Sequence, residues 1–171
     1  MPRPPVVILM GSDSDFEFLE PGVKTLREFG IDPEVRVLSA HRTPDLVHEY
    51  IRGLTPEVKV IIAAAGGAAH LAGVCAALTV RPVIGVPVPI APLNGLDSLL
   101  ATVQMPGGIP VATVAAGVGG PKNAALLAVQ ILAVADLDLA AKLREYKAKM
   151  VEEVKAKDKK LQDRLKGGTK T

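Results

Sequence analysis

The sequence predicts an α/β protein in which helices cover a parallel, doubly wound sheet. Short apolar runs of strand length alternate along the chain with segments of helical periodicity. The apolar residues are mostly Ala, Val, Leu and Ile, with no Trp and few aromatic rings, a composition typical of strands buried on both faces. A length of 171 residues suits one domain. We therefore expect a single domain, with a core over about 5–135 and a C-terminal helical extension over about 136–171.

The apolar runs and their stop signals define five strands and six helices. The predicted strands cover residues 5–10, 34–38, 59–64, 82–86 and 109–114. The predicted helices cover residues 16–29, a segment that begins at 44, a segment after 66–67 that ends near 79, 95–103, 122–134, and a long segment from about 136. Residues 87–94 contain three prolines and are predicted to form a loop.

Composition narrows the class of protein. Cys75 is the only cysteine and lies in an apolar stretch, which predicts a buried structural thiol and excludes an intrachain disulfide. The N-terminal apolar run is too short for a signal peptide, so we expect a cytoplasmic protein. Residues 60–80 carry no Asp, Glu, Lys or Arg, but their glycines and β-branched residues favour a buried strand, turn and helix over a membrane span.

The C-terminal segment differs in charge from the rest of the chain. The net charge is +2, yet from residue 141 onward eleven Lys or Arg stand against five Asp or Glu. Apolar residues at 139, 143, 146, 150 and 154 have helical spacing, which predicts an amphipathic helix that packs on the body or on a neighbouring subunit. The basic residues lack a pattern of interleaved aromatic rings, so we do not expect nucleic-acid binding.

The first strand ends in a polar turn at the sheet edge where ligands bind in parallel sheets. There the run Gly11-Ser12-Asp13-Ser14-Asp15 offers a tight turn, two hydroxyls and the N–H groups of a helix start, which together suit an anion. Asp15 can accept hydrogen bonds from sugar hydroxyls, whereas Asp13 is expected to face away from a phosphate. The same residues also suit a simple capping turn.

The second strand ends in Ser39-Ala40-His41-Arg42-Thr43, a more specific combination. Arg42 offers a forked donor for a phosphate group. An imidazole can both give and take a proton near neutral pH. This favours a functional role for His41 over a solvated histidine beside a helix cap.

The third strand ends in Ala65-Gly66-Gly67-Ala68-Ala69-His70, where the paired glycines let a ligand lie close to the backbone. His70 suits a second acid–base group, a substrate contact or, more simply, a packed or capping group. Histidine and cysteine show no metal-ligand spacing, and neither G-x-G-x-x-G after the first strand nor G-x-x-x-x-G-K-[ST] occurs. The sequence therefore predicts no metal, dinucleotide or nucleoside triphosphate.

Five segments, taken in order, resemble the N5-carboxyaminoimidazole ribonucleotide mutases, the PurE family. They are GSDSD, SAHRTP, AGGAAHL, NGLDSLLATVQMP and NAALLAVQILA, and the resemblance runs from about Val6 to Leu132 and beyond. It implies a flavodoxin-like, three-layer fold, a homo-octamer with active sites between subunits, a small ribonucleotide substrate and no cofactor. Ala72 stands where the family often has Pro, and Val74 where it often has Met.

The resemblance also implies a role for each site residue. His41 is the implied catalytic residue. Five residues would bind the ribose phosphate, namely Ser12, Ser14, Asp15, Ser39 and Arg42. Ala40 would lie with His41 beside the imidazole. The carboxylate and carbon dioxide pocket would be lined by Ala65, Gly66 and Ala68, with His70 and Leu71 beside it.

The implied reaction moves a carboxyl group from N5 to C4 of the imidazole, a step of purine (IMP) biosynthesis. The substrate loses carbon dioxide, the site retains both fragments, and C4 then captures the carbon dioxide. His41 would protonate N5 and later remove the C4 proton. Two alternatives stay open: a direct carboxylase of aminoimidazole ribonucleotide, and a non-catalytic ribonucleotide-binding module on the same fold.

Overall fold

The computed structural model describes residues 3–167, which form one five-stranded sheet and six helices. The strands are β1 (Val6–Met10), β2 (Glu34–Val37), β3 (Val60–Gly66), β4 (Val83–Val88) and β5 (Ala112–Thr113). The helices are α1 (Phe16–Glu28), α2 (Pro44–Arg52), α3 (Leu71–Leu78), α4 (Leu96–Val103), α5 (Gly120–Ala133) and α6 (Leu137–Gly167). A single 3-10 turn, Asp13–Asp15, precedes α1. The predicted alternation of strands and helices is confirmed.

All five strands are parallel and lie in the order β2-β1-β3-β4-β5. Val7 of β1 pairs with Glu34 on one side and with Ile61 on the other, which fixes the register at the centre of the sheet. The chain moves outward from β1 to β2 and then returns past β1 to β3. This is the flavodoxin-like order, in which a crevice opens where the order reverses beside β1.

The central strands are buried on both faces. Val7 and Leu9 of β1 belong to a cluster with buried residues of α2 and α3, while Val6 and Ile8, which point to the opposite face, are equally buried. This burial on both faces explains why the strands are continuous apolar runs. Cys75 of α3 is fully buried in the same cluster, and burial raises the pKa of its thiol to about 12. Such a thiol is structural rather than nucleophilic, as predicted.

The fourth strand is longer than the sequence predicts. Its last two residues, Pro87 and Val88, pair with the end of β3, so the predicted loop 87–94 is wrong at its first two positions. The neighbouring β5 pairs only with the middle of β4. Pro87 therefore has a strand on one side only, and its missing N–H is tolerated there.

The fifth strand is shorter than the predicted 109–114. The Ile109 N–H donates to the Pro106 carbonyl in a turn, and Pro110 has no N–H to donate. Regular pairing with β4 therefore begins only at Ala112.

The chain forms two compact units, the first ending at Leu132 and the second beginning at Ala133. The first unit holds the sheet, and the second holds the 31-residue helix α6, which confirms the predicted C-terminal helix. Packing of its apolar face on the body or on a neighbouring subunit stays a prediction. Residues 168–171 of the predicted basic tail lie outside the described residues. Between residues 3 and 167, no helix is long and apolar enough to cross a membrane.

Candidate active site

One cavity of about 420 Å³ lies at the carboxyl edge of the sheet, between the loops that follow β1, β2 and β3. The twelve residues that the sequence assigns to the site all line it. The full lining consists of Gly11, Ser12, Ser14, Asp15, Ser39, Ala40, His41, Arg42, Ala65, Gly66, Ala68, His70, Leu71 and Ile90. Because β1 and β3 flank the point where the strand order reverses, the cavity has the position expected for a ligand in this fold.

The loop after β1 is held by hydrogen bonds among its own side chains. The Ser12 hydroxyl oxygen accepts the Ser14 N–H at 3.4 Å and the Ser14 O–H at 2.8 Å. The Asp13 carboxylate also accepts the Ser14 N–H, at 3.0 Å, and Asp13 does not line the cavity. The loop is therefore a capping turn, and two of its hydroxyls also line the cavity. Anion binding by this loop stays a prediction.

Asp15 lies partly buried in the cavity wall. Burial raises the pKa of its carboxyl above the ordinary value of 3.8, and the nearby Asp13 carboxylate adds to the rise. Hydrogen bonds from Ser12 and Ser14 and the positive charge of Arg42 lower the pKa, but they do not cancel the effect of burial. A carboxylate kept in an unfavourable environment is typical of functional sites.

Replacing Asp15 with Asn should raise the melting temperature at pH 7 by about 1–2 °C. The folded-state pKa lies above the unfolded one, so the carboxylate lowers stability once the pH is above the folded-state pKa, and this penalty vanishes below the unfolded pKa. The advantage of the variant should therefore shrink as the pH falls to about 4. Calorimetry at both pH values measures it.

The control for this prediction is Asp45→Asn, in the first turn of α2 and outside the cavity lining. It removes a favourable negative charge at a helix N-terminus and should lower the melting temperature. A melting temperature of Asp15→Asn below that of the wild type at pH 7 would contradict the prediction.

Arg42 connects the loops after β1 and β2. Its guanidinium Nη2 donates to the Gly11 carbonyl oxygen at 2.6 Å, and its backbone N–H donates to the Ser39 Oγ at 3.1 Å. The Thr43 hydroxyl closes the same turn, because its oxygen accepts the Ser39 N–H at 3.0 Å. These bonds use only part of the five N–H donors of a guanidinium, and the rest suit an anion in the cavity.

The two glycines of the loop after β3 both occupy constrained positions. Gly67 has a φ of +62°, in the left-handed region that favours glycine. A Cβ on Gly66 would lie 3.1 Å from the Cγ2 of Ile90, closer than ordinary packing allows. Ala65, Gly66 and Ala68 of this loop form a cavity wall of small groups without charge.

His41 and His70 meet in the cavity although they are 29 residues apart. The Nε2 of His41 lies 2.8 Å from the Nδ1 of His70, and the rings are nearly perpendicular. One ring must donate an N–H and the other must accept it, so the protonation of one ring fixes the tautomer of the other. The side chain of His70 makes no cap hydrogen bond to α3, which excludes the capping alternative.

The helix after this loop starts regularly despite its departure from the family pattern. α3 begins at Leu71, with His70 in the N-cap position and Ala72 buried in the first turn. Ala at this position is a good helix former, so the absence of a proline does not displace the helix start.

Two residues at or beside the cavity are not predicted by the sequence patterns. Ile90 lines the cavity from the loop after β4, which carries no polar or glycine signal at that position. Ser98 of α4 bonds to the backbone of Gly67, and the only signal for it was its place within the NGLDSLL segment. Over residues 3–167, no group of three or more His, Cys, Asp or Glu could hold a metal ion.

Comparison with known proteins identifies the family. The family model described as AIR carboxylase matches residues 5–153, a range that contains every residue of the cavity lining. The chain belongs to the AIR carboxylase family. The resemblance found from the five sequence segments is therefore confirmed.

Relatives and solved structures match nearly the whole chain. A relative from Saccharolobus solfataricus named N5-carboxyaminoimidazole ribonucleotide mutase is 53% identical over 152 residues, which cover 88% of this chain and 95% of the relative. A relative of the same name from Thermotoga maritima is 52% identical over 163 residues, 95% of this chain and 93% of the relative. The crystal structure of Treponema denticola PurE matches with a TM-score of 0.83 and 33% identity, over 93% of this chain and 99% of that chain.

Proposed function

We propose that this chain is an N5-carboxyaminoimidazole ribonucleotide mutase of purine biosynthesis, which forms 4-carboxy-5-aminoimidazole ribonucleotide. The proposal rests on one observation: a single cavity combines a basic, hydroxyl-rich end, a histidine pair and a wall of small residues. These three parts suit the phosphate, the imidazole and the migrating carboxyl group of that substrate. The names of relatives at 52–53% identity support the same activity.

The loops after β1 and β2 would hold the ribose phosphate. Arg42 supplies the positive charge, while the hydroxyls of Ser12, Ser14 and Ser39 supply hydrogen bonds. Asp15 would accept hydrogen bonds from the ribose hydroxyls, a role that explains why a partly buried carboxylate is kept there. The phosphate end would thus fix the imidazole beside Ala40 and the histidine pair.

The chemistry needs one proton given and one proton taken. Protonated His41 gives a proton to N5 as the N5–carboxyl bond breaks, and carbon dioxide leaves. The ring carbon C4 then bonds to the carbon dioxide, and neutral His41 removes the C4 proton, which restores its starting state. His70, 2.8 Å away, would hold the His41 ring in one tautomer through both steps.

The wall after β3 would retain the carbon dioxide between these steps. Ala65, Gly66, Ala68 and Leu71 present backbone and small or aliphatic side chains, with no charged group. Retention keeps the recapture within one site, whereas escape would make it a slow bimolecular reaction.

Turnover by the purified full chain without ATP tests the proposal. One sample receives N5-carboxyaminoimidazole ribonucleotide, and the other receives aminoimidazole ribonucleotide with bicarbonate. We expect the first sample to form the C4-carboxylated product efficiently. Product in the second sample only would indicate a direct carboxylase, and product in neither would leave a ribonucleotide-binding module.

We place this activity in the cytoplasm. The only cysteine, Cys75, is free and buried, which suits a reducing compartment. Cell fractionation of a producing strain tests this, with activity in the soluble cytoplasmic fraction as the expected result and activity confined to another fraction as the contrary one.

We also infer a homo-octamer, which the family resemblance implies. Its support is an apolar stripe of exposed residues on one face of α4, formed by Leu96, Leu100 and Val103 at spacings of four and three residues. Exposed Leu93 and Ile90 lie just before α4 in the chain, and Ile90 also lines the cavity. A second copy packed on this stripe would lie next to the cavity, in line with sites between subunits.

Replacing Leu100 with Glu should break the assembly into smaller species and lower turnover at least tenfold, because a charge cannot be buried in an apolar interface without a partner. Light scattering measures the mass, and the mutase assay measures turnover. Val80→Glu is the control, since Val80 is exposed and lies outside the stripe. A wild-type chain that is monomeric and fully active would contradict the inference.

A further inference from the structure

The buried hydroxyl of Ser98 bridges two strand ends beside the cavity. Ser98 lies in the first turn of α4 and is fully buried. Its hydroxyl donates to the Val88 carbonyl oxygen at 2.8 Å, and its oxygen accepts the Gly67 N–H at 2.8 Å. The last paired residues of β3 and β4 are Gly66 and Val88, so the hydroxyl continues the sheet where the ladder stops.

This bridge determines where the Gly67 amide points. Gly67 follows the last residue of β3 and has a left-handed φ of +62°. Its N–H is directed to Ser98, which means that it is not a donor to a ligand in the cavity. Without the hydroxyl, the buried Val88 carbonyl and the partly buried Gly67 N–H would both lose this partner, and the peptide before Gly67 would be free to turn.

We propose that Ser98 is a positioning residue that keeps the cavity wall after β3, formed by Ala65, Gly66 and Ala68, closed around released carbon dioxide. The inference rests on the proposed function, because the wall acts only if carbon dioxide is an intermediate. Ser98 touches no substrate in this account. It acts through Gly67, which packs under Ile90 together with Gly66.

The helix that carries Ser98 also supplies a matched control. Thr102, one turn later in α4, is 2% exposed, and its hydroxyl donates to the Ser98 carbonyl oxygen at 2.7 Å. That bond stays within the helix and reaches no residue of the cavity lining. Thr102→Val removes a buried hydroxyl of the same helix while keeping the shape of the side chain.

The first test follows the fate of a ¹³C-labelled carboxyl group during turnover in unlabelled bicarbonate. For Ser98→Ala we expect label loss to rise about tenfold and kcat to fall by about the same factor. A factor of this size is expected when one buried polar group loses its hydrogen-bond partner. KM for the ribonucleotide should stay within about twofold, because the phosphate is held by the loops after β1 and β2. Ser98→Cys, with a weaker donor and acceptor, should be intermediate.

Thr102→Val should lower the melting temperature but retain the label as the wild type does. Label retention by Ser98→Ala equal to that of Thr102→Val would overturn the proposal. A rise in KM with unchanged label retention would also overturn it, since it would indicate a general structural defect.

The second test does not depend on the mutase activity. Hydrogen exchange of the Gly67 amide, followed by NMR, should be slow in the wild type and in Thr102→Val, and at least tenfold faster in Ser98→Ala. Equal exchange in Ser98→Ala and the wild type would overturn the bridge itself. A further outcome separates the two proposals: the wild type shows no mutase turnover, yet the Gly67 amide exchanges fast in Ser98→Ala. That result would reject the proposed function and, with it, the role of Ser98 in retention, while the hydrogen-bonded bridge would stand.

Discussion

Replacing His41 with Asn is expected to lower kcat for carboxyl migration by about 10²–10⁴-fold, while substrate binding stays close to that of the wild type. Asn keeps a polar side chain of similar size but cannot exchange a proton near neutral pH. In the proposed function, most of the binding contacts come from other residues of the loops after β1 and β2, which line the cavity. Single-turnover kinetics and calorimetric titration with the product measure the two effects separately.

The control for this prediction is His48→Asn. His48 lies in α2, outside the cavity lining, so its replacement should change kcat less than twofold. Turnover that survives in His41→Asn would contradict the proton-transfer role, whatever the behaviour of the control. A loss of turnover accompanied by a loss of binding would show that His41 holds the substrate instead of acting on it.

Replacing Arg42 with Gln is expected to raise KM about tenfold to hundredfold and to change kcat less than threefold. Charge-assisted hydrogen bonds contribute about 1.5–3 kcal/mol, which corresponds to that range of affinity. The variant also weakens the link to the Gly11 carbonyl oxygen, so the loop after β1 loses a partner. Steady-state kinetics at low and high salt measure the effect.

Salt provides an internal check on the role of Arg42. KM of the wild type should rise with ionic strength, and KM of Arg42→Gln should rise less, because one of the interacting charges is gone. Arg52→Gln, in the last turn of α2 and outside the cavity lining, is the control and should leave KM unchanged. An unchanged KM in Arg42→Gln would place the phosphate elsewhere.

The order of the elements and the three cavity loops could be predicted from the sequence for a physical reason. Apolar runs of strand length mark buried parallel strands, and function collects at their carboxyl ends. The three polar or glycine-rich turns, GSDSD, SAHRT and AGGAAH, therefore had to meet at one edge, and they line one cavity. The chemical roles of the lining residues stay predictions.

The contacts between distant loops could not be predicted in this way. His41 and His70 are 29 residues apart, and only the register of the sheet brings the His41 Nε2 to within 2.8 Å of the His70 Nδ1. Ser98 looks like an ordinary residue of a helix start, yet its hydroxyl bridges the ends of two strands. Such residues depend on tertiary geometry, which neither spacing nor composition encodes.

The lengths of the strands also depend on tertiary geometry that the sequence pattern does not encode. Pro87 looks like the start of a loop, because proline usually interrupts a ladder. It is tolerated in β4 because β5 ends at Thr113, opposite Gly85, and so does not extend along Pro87. A correct prediction of where β4 ends would have needed the length and register of the neighbouring strand β5.

A crystal structure of the full chain with 4-carboxy-5-aminoimidazole ribonucleotide tests the central claim most directly. We predict that the phosphate contacts Arg42 and the Ser12 and Ser14 hydroxyls. We also predict that C4 and N5 lie within reach of a His41 ring nitrogen. The carboxylate should lie against Ala65 and Gly66 of the cavity wall after β3. A ribonucleotide bound in this cavity with C4 and N5 far from His41, or bound outside the cavity, would contradict the account.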